Sequence, residues 1–146
     1  MAAEANIESS RRAIEEAFGQ GKLEVFDEIC AADWVGHDPL SGDQDVAAAK
    51  QTIVAFRDAF PDLTFTIEDI FAAGDKVAMR WSANGTFQNE FMGQEPTGEK
   101  GEPTNGLSID RFNDDGELVE TWNQWDTLGF MREIRVIQEG ASAASG

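Results

Sequence analysis

Apolar side chains recur at helical spacing in three segments of the first 60 residues, and this pattern predicts three helices. The predicted helices cover residues ~6–18, ~22–31 and ~41–60. The third helix has a capping-box start at Ser41 and Gln44, and Pro61 ends it. Its apolar residues form one stripe, which consists of Val46, Ala49, Ile53, Phe56 and Phe60.

After Pro61 the pattern changes to segments rich in Phe, Ile, Val and Thr, which is typical of strands. We predict strands over residues 63–72, 77–87, 106–112 and 117–126, and a short helix over 127–132. Residues 88–103 are rich in glycine and proline and are predicted to form a loop over an edge or an opening. Helices followed by strands indicate an α+β fold, in which three N-terminal helices pack on the concave side of a curved antiparallel sheet of about four to six strands. Such an arrangement leaves a cone-shaped cavity, which is a usual site for a small ligand.

The strand over residues 117–126 has a polar end that a purely structural strand would not need. Side chains alternate along a strand, so one face is predicted to carry Leu118, Glu120, Trp122, Gln124 and Asp126. A carboxyl group beside Trp122 and Trp125 would lose hydration, which raises its pKa and suits Asp126 to proton transfer. The alternative is that Asp126 caps the helix that starts at Thr127.

Composition narrows the choice of partners. The net charge is −17 over 146 residues, which argues against nucleic acid and against anionic membrane surfaces. The length of 146 residues suits one domain, and a hydrophobic fraction of 41 % is ordinary for a globular protein. The domain is predicted over residues 1–137, followed by a disordered Ala/Ser/Gly-rich tail over 138–146. The absence of a secretory signal and of a ~20-residue apolar run favours a cytoplasmic protein. The single cysteine, Cys30, is predicted to be a small buried thiol in a reducing compartment.

Metal and phosphate chemistry find little support in the sequence. One histidine and one cysteine do not supply a zinc site, and no glycine pattern for phosphate is present. The acidic stretch at residues 113–117 lacks the spacing of a calcium loop and is predicted to be a hairpin turn. His37, the only histidine, is the side chain that changes charge most easily near neutral pH. The sequence therefore predicts no metal site.

Several motifs of the chain occur in a familiar order. They are FPDL at 60–63, GDKVAMRW at 74–81, GT at 85–86, PTG at 96–98, RF at 111–112, and the two spaced motifs Trp122…Asp126 and Trp34…His37-Asp38-Pro39. Together they resemble the SnoaL-like polyketide cyclase family over residues 7–132. The resemblance implies the cone-shaped fold shared with nuclear transport factor 2, ketosteroid isomerase, scytalone dehydratase and limonene epoxide hydrolase. It also implies a homodimer, and cofactor-independent ring closure of the aldol type, or related acid/base chemistry, on a hydrophobic and aromatic carbonyl compound.

The resemblance further implies a site. Asp126 matches the acidic residue of the family's Trp-x-x-x-Asp motif and is expected to be the catalytic acid/base, with His37 holding or polarising the substrate oxygen. The residues expected to bind the substrate are Trp34, Trp81, Asn105, Ser108, Trp122, Gln124 and Trp125.

Two alternatives stay open. The well-described cyclases have a partner histidine in the preceding strand, whereas residues 106–112 contain none, which favours a non-catalytic small-molecule-binding protein. The other alternative is a hydrolase or hydroxylase on the same scaffold, in which Arg80 would assist Asp126. Strand parity opposes that pairing, because Val77, Met79 and Trp81 are predicted to face inward and Arg80 outward.

Overall fold

The computed structural model describes residues 2–135, and the predicted tail at 138–146 lies outside this range. The helices are α1 (Ala2–Arg12), which continues as a π-helical segment (Ala13–Phe18), α2 (Glu24–Ile29), α3 (Val46–Ala59) and α4 (Thr127–Glu133). Within the described range no helix has the length and apolar character that crossing a membrane requires.

One mixed sheet holds all the strands of the described chain. The strands are β1 (Cys30–Asp38), β2 (Gly42–Gln44), β3 (Thr64–Ala73), β4 (Lys76–Asn84), β5 (Thr104–Phe112) and β6 (Leu118–Trp125). Their order across the sheet is β2-β1-β6-β5-β4-β3. Neighbours are antiparallel except β1 and β6, which run parallel. The α+β prediction is confirmed, whereas the prediction of a wholly antiparallel sheet is wrong at this one pair.

The start of α3 differs from the predicted capping box. Asp45 is the N-cap, and its Oδ1 accepts a hydrogen bond from the backbone N–H of Ala48 at 2.8 Å. Gln44 ends strand β2 instead, and Ser41 lies in the turn before that strand. A carboxylate at the N-cap satisfies a free backbone N–H and interacts favourably with the positive end of the helix dipole, so Asp45 fixes where the helix begins.

The helices pack against one face of the sheet, which we call the inner face. Val77, Met79 and Trp81 of β4 are buried on this face, and Arg80 points to the exposed outer face, as strand parity predicted. Phe71 of β3 is 61 % exposed on the outer face. The outer face therefore carries both charged and apolar side chains.

A β-bulge in β6 reverses the face on which its later side chains lie. The ladder between β5 and β6 skips one residue of β6 between Leu118 and Glu120. Leu118 and Thr121, three residues apart, are therefore both buried on the inner face. From there Asn123 and Trp125 continue the inner face, whereas simple alternation from Leu118 had placed them on the opposite side.

Candidate active site

A cavity of about 120 Å³ lies between the inner face of the sheet and helices α3 and α4. Much of its lining is aromatic and includes Phe56, Phe60, Phe65, Trp81, Trp125 and Phe130. The polar side chains that reach it include Asp38, Gln44, Asn84, Asn123 and Glu133. An apolar cavity with a few convergent polar groups is the usual form of a small-molecule site.

One carboxylate faces this cavity from the end of β1. Asp38 Oδ1 accepts a hydrogen bond from Trp125 Nε1 at 3.0 Å. Asp38 Oδ2 accepts from the backbone N–H groups of Leu40 and Ser41, both at 2.9 Å. The backbone contacts are those of an Asx turn, which the Asp-Pro sequence favours. Three donors thus fix the orientation of a half-buried carboxylate at the cavity wall.

A chain of three side chains orients an amide at the same cavity. Trp81 Nε1 donates to Ser108 Oγ at 2.9 Å, and Ser108 Oγ lies 2.7 Å from Asn123 Oδ1. An indole N–H can only donate, so the serine hydroxyl accepts it and donates its own proton to Asn123. Within residues 2–135 no protein group accepts a hydrogen bond from Asn123 Nδ2. Asn123 therefore presents a free donor at the cavity wall.

A second carboxyl group lies beside the cavity, on the last turn of α4. Although Glu133 as a whole is exposed, its carboxyl group packs so closely against Gly101 that a Cβ there would not fit. Desolvation raises the pKa of Glu133, the hydrogen bond that it accepts from the backbone N–H of Glu102 opposes this rise, and the charges of Glu102 and Asp126 add to it. Glu133 therefore keeps its proton to a higher pH than an ordinary glutamate.

Four of the predicted substrate-binding residues lie on the inner face. Trp81 and Trp125 line the cavity. Ser108 is buried behind the lining as the middle member of the chain to Asn123. Trp34 is buried in the core and donates to Thr121 Oγ1 at 3.1 Å, so it supports the sheet and does not line the cavity.

The other predicted residues do not line the cavity. Trp122 and Gln124 are exposed on the outer face, because the bulge in β6 reverses their side. His37 lies on the same outer face, with its ring centroid 5.8 Å from that of Trp122. Asn105 is exposed, and its backbone carbonyl accepts the N–H of Asp126 at 3.1 Å. In the described part of the chain no group of three or more His, Cys, Asp or Glu side chains is arranged to hold a metal ion.

Asp126 is exposed and caps helix α4. Its Oδ1 accepts a hydrogen bond from the backbone N–H of Gly129 at 2.9 Å. The prediction that Trp122 and Trp125 dehydrate this carboxyl group is wrong, because Trp122 lies on the other face and the N–H of Trp125 turns to Asp38. The helix cap, which was the alternative, is what the structure shows. Arg80 pairs with Asp69 on the outer face and not with Asp126.

Sequence reasoning missed Asp38 and Asn123. Asp38 was considered only as part of a family motif, although an Asp-Pro pair after an extended segment signals an Asx turn that would fix its carboxylate. Asn123 was placed on the outer face by simple alternation. A signal existed for it too, because asparagine is depleted in strands and its presence between two tryptophans needed an explanation.

Comparison with known proteins agrees with this architecture. The model of the SnoaL-like polyketide cyclase family matches residues 8–134, nearly the whole of the chain. The chain belongs to the SnoaL-like polyketide cyclase family. No curated protein matches it. The family resemblance that was drawn from motifs over residues 7–132 is thereby confirmed.

Solved structures show the same SnoaL-like fold. IdmH from Streptomyces antibioticus, provisionally a polyketide cyclase, is 31 % identical with a TM-score of 0.74, over 90 % of this chain and 99 % of IdmH. A provisional SnoaL-like polyketide cyclase from Jannaschia sp. CCS1 is 20 % identical with a TM-score of 0.81, over 92 % of this chain and 94 % of its own. AclR from Streptomyces galilaeus, provisionally a hydroxylase, is 22 % identical with a TM-score of 0.81, over 98 % and 88 % respectively. The last two likenesses show the fold alone.

Proposed function

We propose that this SnoaL-like protein catalyses cofactor-independent proton transfer on a hydrophobic carbonyl compound, leading to ring closure of the aldol type. The supporting observation is that one aromatic cavity contains both an oriented carboxylate, Asp38, and a free amide donor, Asn123. Enolisation needs a base for the C–H proton and a donor for the developing oxyanion, and both act more strongly where water is largely excluded.

In the proposed reaction Asp38 removes a proton from the carbon beside a substrate carbonyl. The electron pair of the C–H bond moves toward the carbonyl oxygen, and Asn123 Nδ2 donates a hydrogen bond to the oxyanion that forms. The carbanionic carbon then attacks a second carbonyl of the same molecule and forms the new C–C bond. Asp38 returns its proton to the resulting alkoxide. Every substrate atom is retained, so the step needs no further reactant.

The lining of the cavity indicates the class of substrate. Rings such as those of Phe56, Trp81 and Phe130 offer flat apolar surfaces. The volume of about 120 Å³ is close to that of an engineered ~150 Å³ cavity that binds benzene, so it encloses about one ring at a time. We infer that the ring being formed occupies the cavity, while the rest of a longer molecule extends past Ser41 and Glu102, which are exposed at its edge.

Deuterium exchange at carbon tests the proposed base without knowledge of the natural substrate. The protein is incubated in D₂O with aryl ketones and linear poly-β-ketones, and deuteration beside the carbonyl is followed by NMR. We expect Asp38→Asn to slow exchange by about 10²–10⁴-fold, because asparagine keeps the shape of aspartate but cannot accept the proton. Asp126→Asn, the same change at an exposed helix cap, is the matched control and is expected to exchange at the wild-type rate.

Each other outcome of this experiment points elsewhere. Equal rates for wild type and Asp38→Asn would exclude Asp38 as the base. A loss of exchange in Asp126→Asn would return the base to the residue that the family motif indicates. Ketone binding without exchange in the wild type would favour the non-catalytic alternative. Incorporation of labelled oxygen from water or dioxygen into a product would favour a hydrolase or a hydroxylase.

We also propose that the outer face of the sheet pairs with a second copy of the chain. Leu107, Ile109 and Trp122 are 58 %, 42 % and 37 % exposed, and Ile109 and Trp122 are direct neighbours on β5 and β6. Adjoining exposed apolar side chains usually mark an interaction surface. Light scattering should give twice the chain mass of 16.0 kDa, and Leu107→Glu should halve it. A monomeric wild type would contradict this proposal.

A further inference from the structure

The outer face holds the chain's only histidine in a site that the proposed reaction does not use. His37 Nδ1 lies 2.7 Å from Asp43 Oδ1, and Nε2 lies 2.7 Å from Glu120 Oε2. An ionised carboxylate can only accept hydrogen bonds, so both ring nitrogens donate and the ring is an imidazolium. Trp122 stacks on the ring with 26° between the two planes. The two carboxylates thus hold both ring nitrogens of His37, and the indole of Trp122 covers one face of the ring. We call His37 with these three residues the clamp.

This clamp links four neighbouring strands. Asp43 belongs to β2 and Glu120 to β6, and Glu120 Oε1 accepts a further hydrogen bond from Arg111 of β5 at 3.0 Å. Alternating charges therefore cross β2, β1, β6 and β5 in that order. β2 is an edge strand of three residues that pairs only with β1 within the described sheet. This short edge strand has few backbone contacts of its own, so the side-chain contacts of the clamp help to hold it to the sheet.

The same edge carries the proposed base on its other side. Asp38 directly follows His37, so the two side chains point to opposite faces. Each is held by a residue of β6: Glu120 holds His37 on the outer face, and Trp125 holds Asp38 on the inner face. A movement of β1 against β6 therefore acts on both contacts.

We propose that charged His37 is a positioning residue, which fastens the β1–β2 edge to β6 and thereby holds Asp38 at the cavity. The catalytic consequence of this inference rests on the proposed function, whereas the coupling between His37 and Asp38 does not. The hydrogen bonds to Glu120 and then to Asp43 raise the pKa of His37, against a small opposing effect of burial. The clamp is therefore complete below the ordinary histidine pKa of about 6.5 and is lost as the pH rises through the raised value. A neutral ring keeps a lone pair on one nitrogen, which then faces a carboxylate that it cannot bind.

NMR on the wild-type protein tests the coupling without any substrate. The single histidine gives one set of ring signals, and we expect these to titrate with a midpoint above about 6.5. The indole N–H signal of Trp125, assigned with Trp125→Phe, reports on Asp38 because the two are hydrogen-bonded. We expect it to shift with the same midpoint. A Trp125 signal that stays constant while His37 titrates would overturn the proposal.

A matched pair of variants makes the test more specific. Asp43→Asn removes one carboxylate of the clamp, whereas Asp27→Asn makes the same change in an exposed ion pair with Lys50, 2.7 Å long, between α2 and α3. We expect Asp43→Asn to lower the midpoints of both His37 and Trp125, and Asp27→Asn to leave both unchanged. A lowered midpoint for His37 alone, or equal midpoints in the two variants, would overturn the inference.

The exchange assay then separates this inference from the proposed function. If Asp38 is the base, the rate of deuterium exchange should fall by about 10–10²-fold as the pH rises, with the same midpoint as the titration of His37. A fall of this size is expected when a catalytic group is displaced by about 1 Å. The variant His37→Arg stays charged and should exchange with no such alkaline fall. A wild type that shows the coupling but no exchange would contradict the proposed function and leave the positioning role in place.

Discussion

The variant Ser108→Ala tests whether the donor at the cavity wall depends on a buried hydrogen-bond chain. Ser108 is 1 % exposed and links Trp81 Nε1 to Asn123 Oδ1. Alanine has no hydroxyl group, so the indole N–H of Trp81, which is 7 % exposed, loses its acceptor. An unpaired buried donor costs about 1–3 kcal/mol. Asn123 also loses the proton that fixed its amide, so its carbonyl can turn toward the cavity in place of its NH₂ group.

Two results follow from this loss. The free energy of unfolding in urea should fall by about 1–3 kcal/mol. Carbon deuteration of the aryl ketones should slow by up to about 10²-fold, the lower end of the range for removing an oxyanion donor, because the amide still donates in part of the population. Both effects should occur although Ser108 itself does not line the cavity.

Ser82→Ala is the matched control for this prediction. Ser82 lies on the neighbouring strand β4, where its Oγ donates to Glu68 at 3.1 Å on the exposed side of the sheet. Its loss should change the free energy of unfolding by no more than about 0.5 kcal/mol. If Ser108→Ala destabilises the protein no more than Ser82→Ala does, the chain of buried donors is not formed. In that case Ser108 does not orient the amide of Asn123 as a donor toward the cavity.

Three further predictions concern the buried side chain of Asp110, the close contact at Gly106 and the half-buried thiol of Cys30. Desolvation raises the pKa of Asp110, so its contribution to wild-type stability is lost as the pH rises from about 4. In urea titrations the free energy of unfolding of Asp110→Asn should therefore increase relative to wild type by up to about 1.4 kcal/mol per pH unit. Gly106→Ala should displace the indole of Trp81, which leaves no room for a Cβ, and should lower the free energy of unfolding by about 1–3 kcal/mol. Burial raises the pKa of the Cys30 thiol to about 12, so iodoacetamide should react about 10³-fold more slowly than with an ordinary cysteine. A stability difference between Asp110→Asn and wild type that does not change with pH would contradict the first prediction. An unchanged free energy of unfolding in Gly106→Ala would contradict the second, and rapid alkylation of Cys30 would contradict the third.

Periodicity predicted most of the fold because burial in this protein follows the helical and strand repeats closely. Ile53 of α3 is fully buried, as its place in the apolar stripe requires, and Val77 and Trp81 of β4 face inward as alternation requires. Alternation along one strand carries no information about the direction of its neighbour, so the parallel pair of β1 and β6 could not be predicted. The start of α3 was mistaken because Ser41 and Gln44 fit a capping box that competed with Asp45.

The site was harder to predict because one extra residue in β6 changes the face of the sheet on which each later side chain of that strand lies. Alternation from Leu118 assigns Trp122 to the cavity and Asn123 to the outside, and the bulge exchanges the two. Side-chain identity alone does not locate a bulge, because both faces of β6 carry a tryptophan and an amide. The resemblance to the SnoaL-like family predicted the family and the fold. It indicated Asp126 as the acid/base, whereas the structure places Asp126 at a helix cap and Asp38 in the lining of the cavity.

Strand β6 connects the two faces of the proposed site because it lies between β1 and β5 in the sheet. On its inner face, Asn123 is the proposed donor, and Trp125 holds Asp38, the proposed base. On its outer face, Glu120 holds His37. Asn123 and Trp125 are two residues apart, which sets the donor and the residue that anchors the base about 7 Å apart along the strand. A slip of one residue would move all of these side chains to the wrong face. The bulge that made the sequence prediction wrong therefore also allows one strand to position the proposed donor, the proposed base and the histidine.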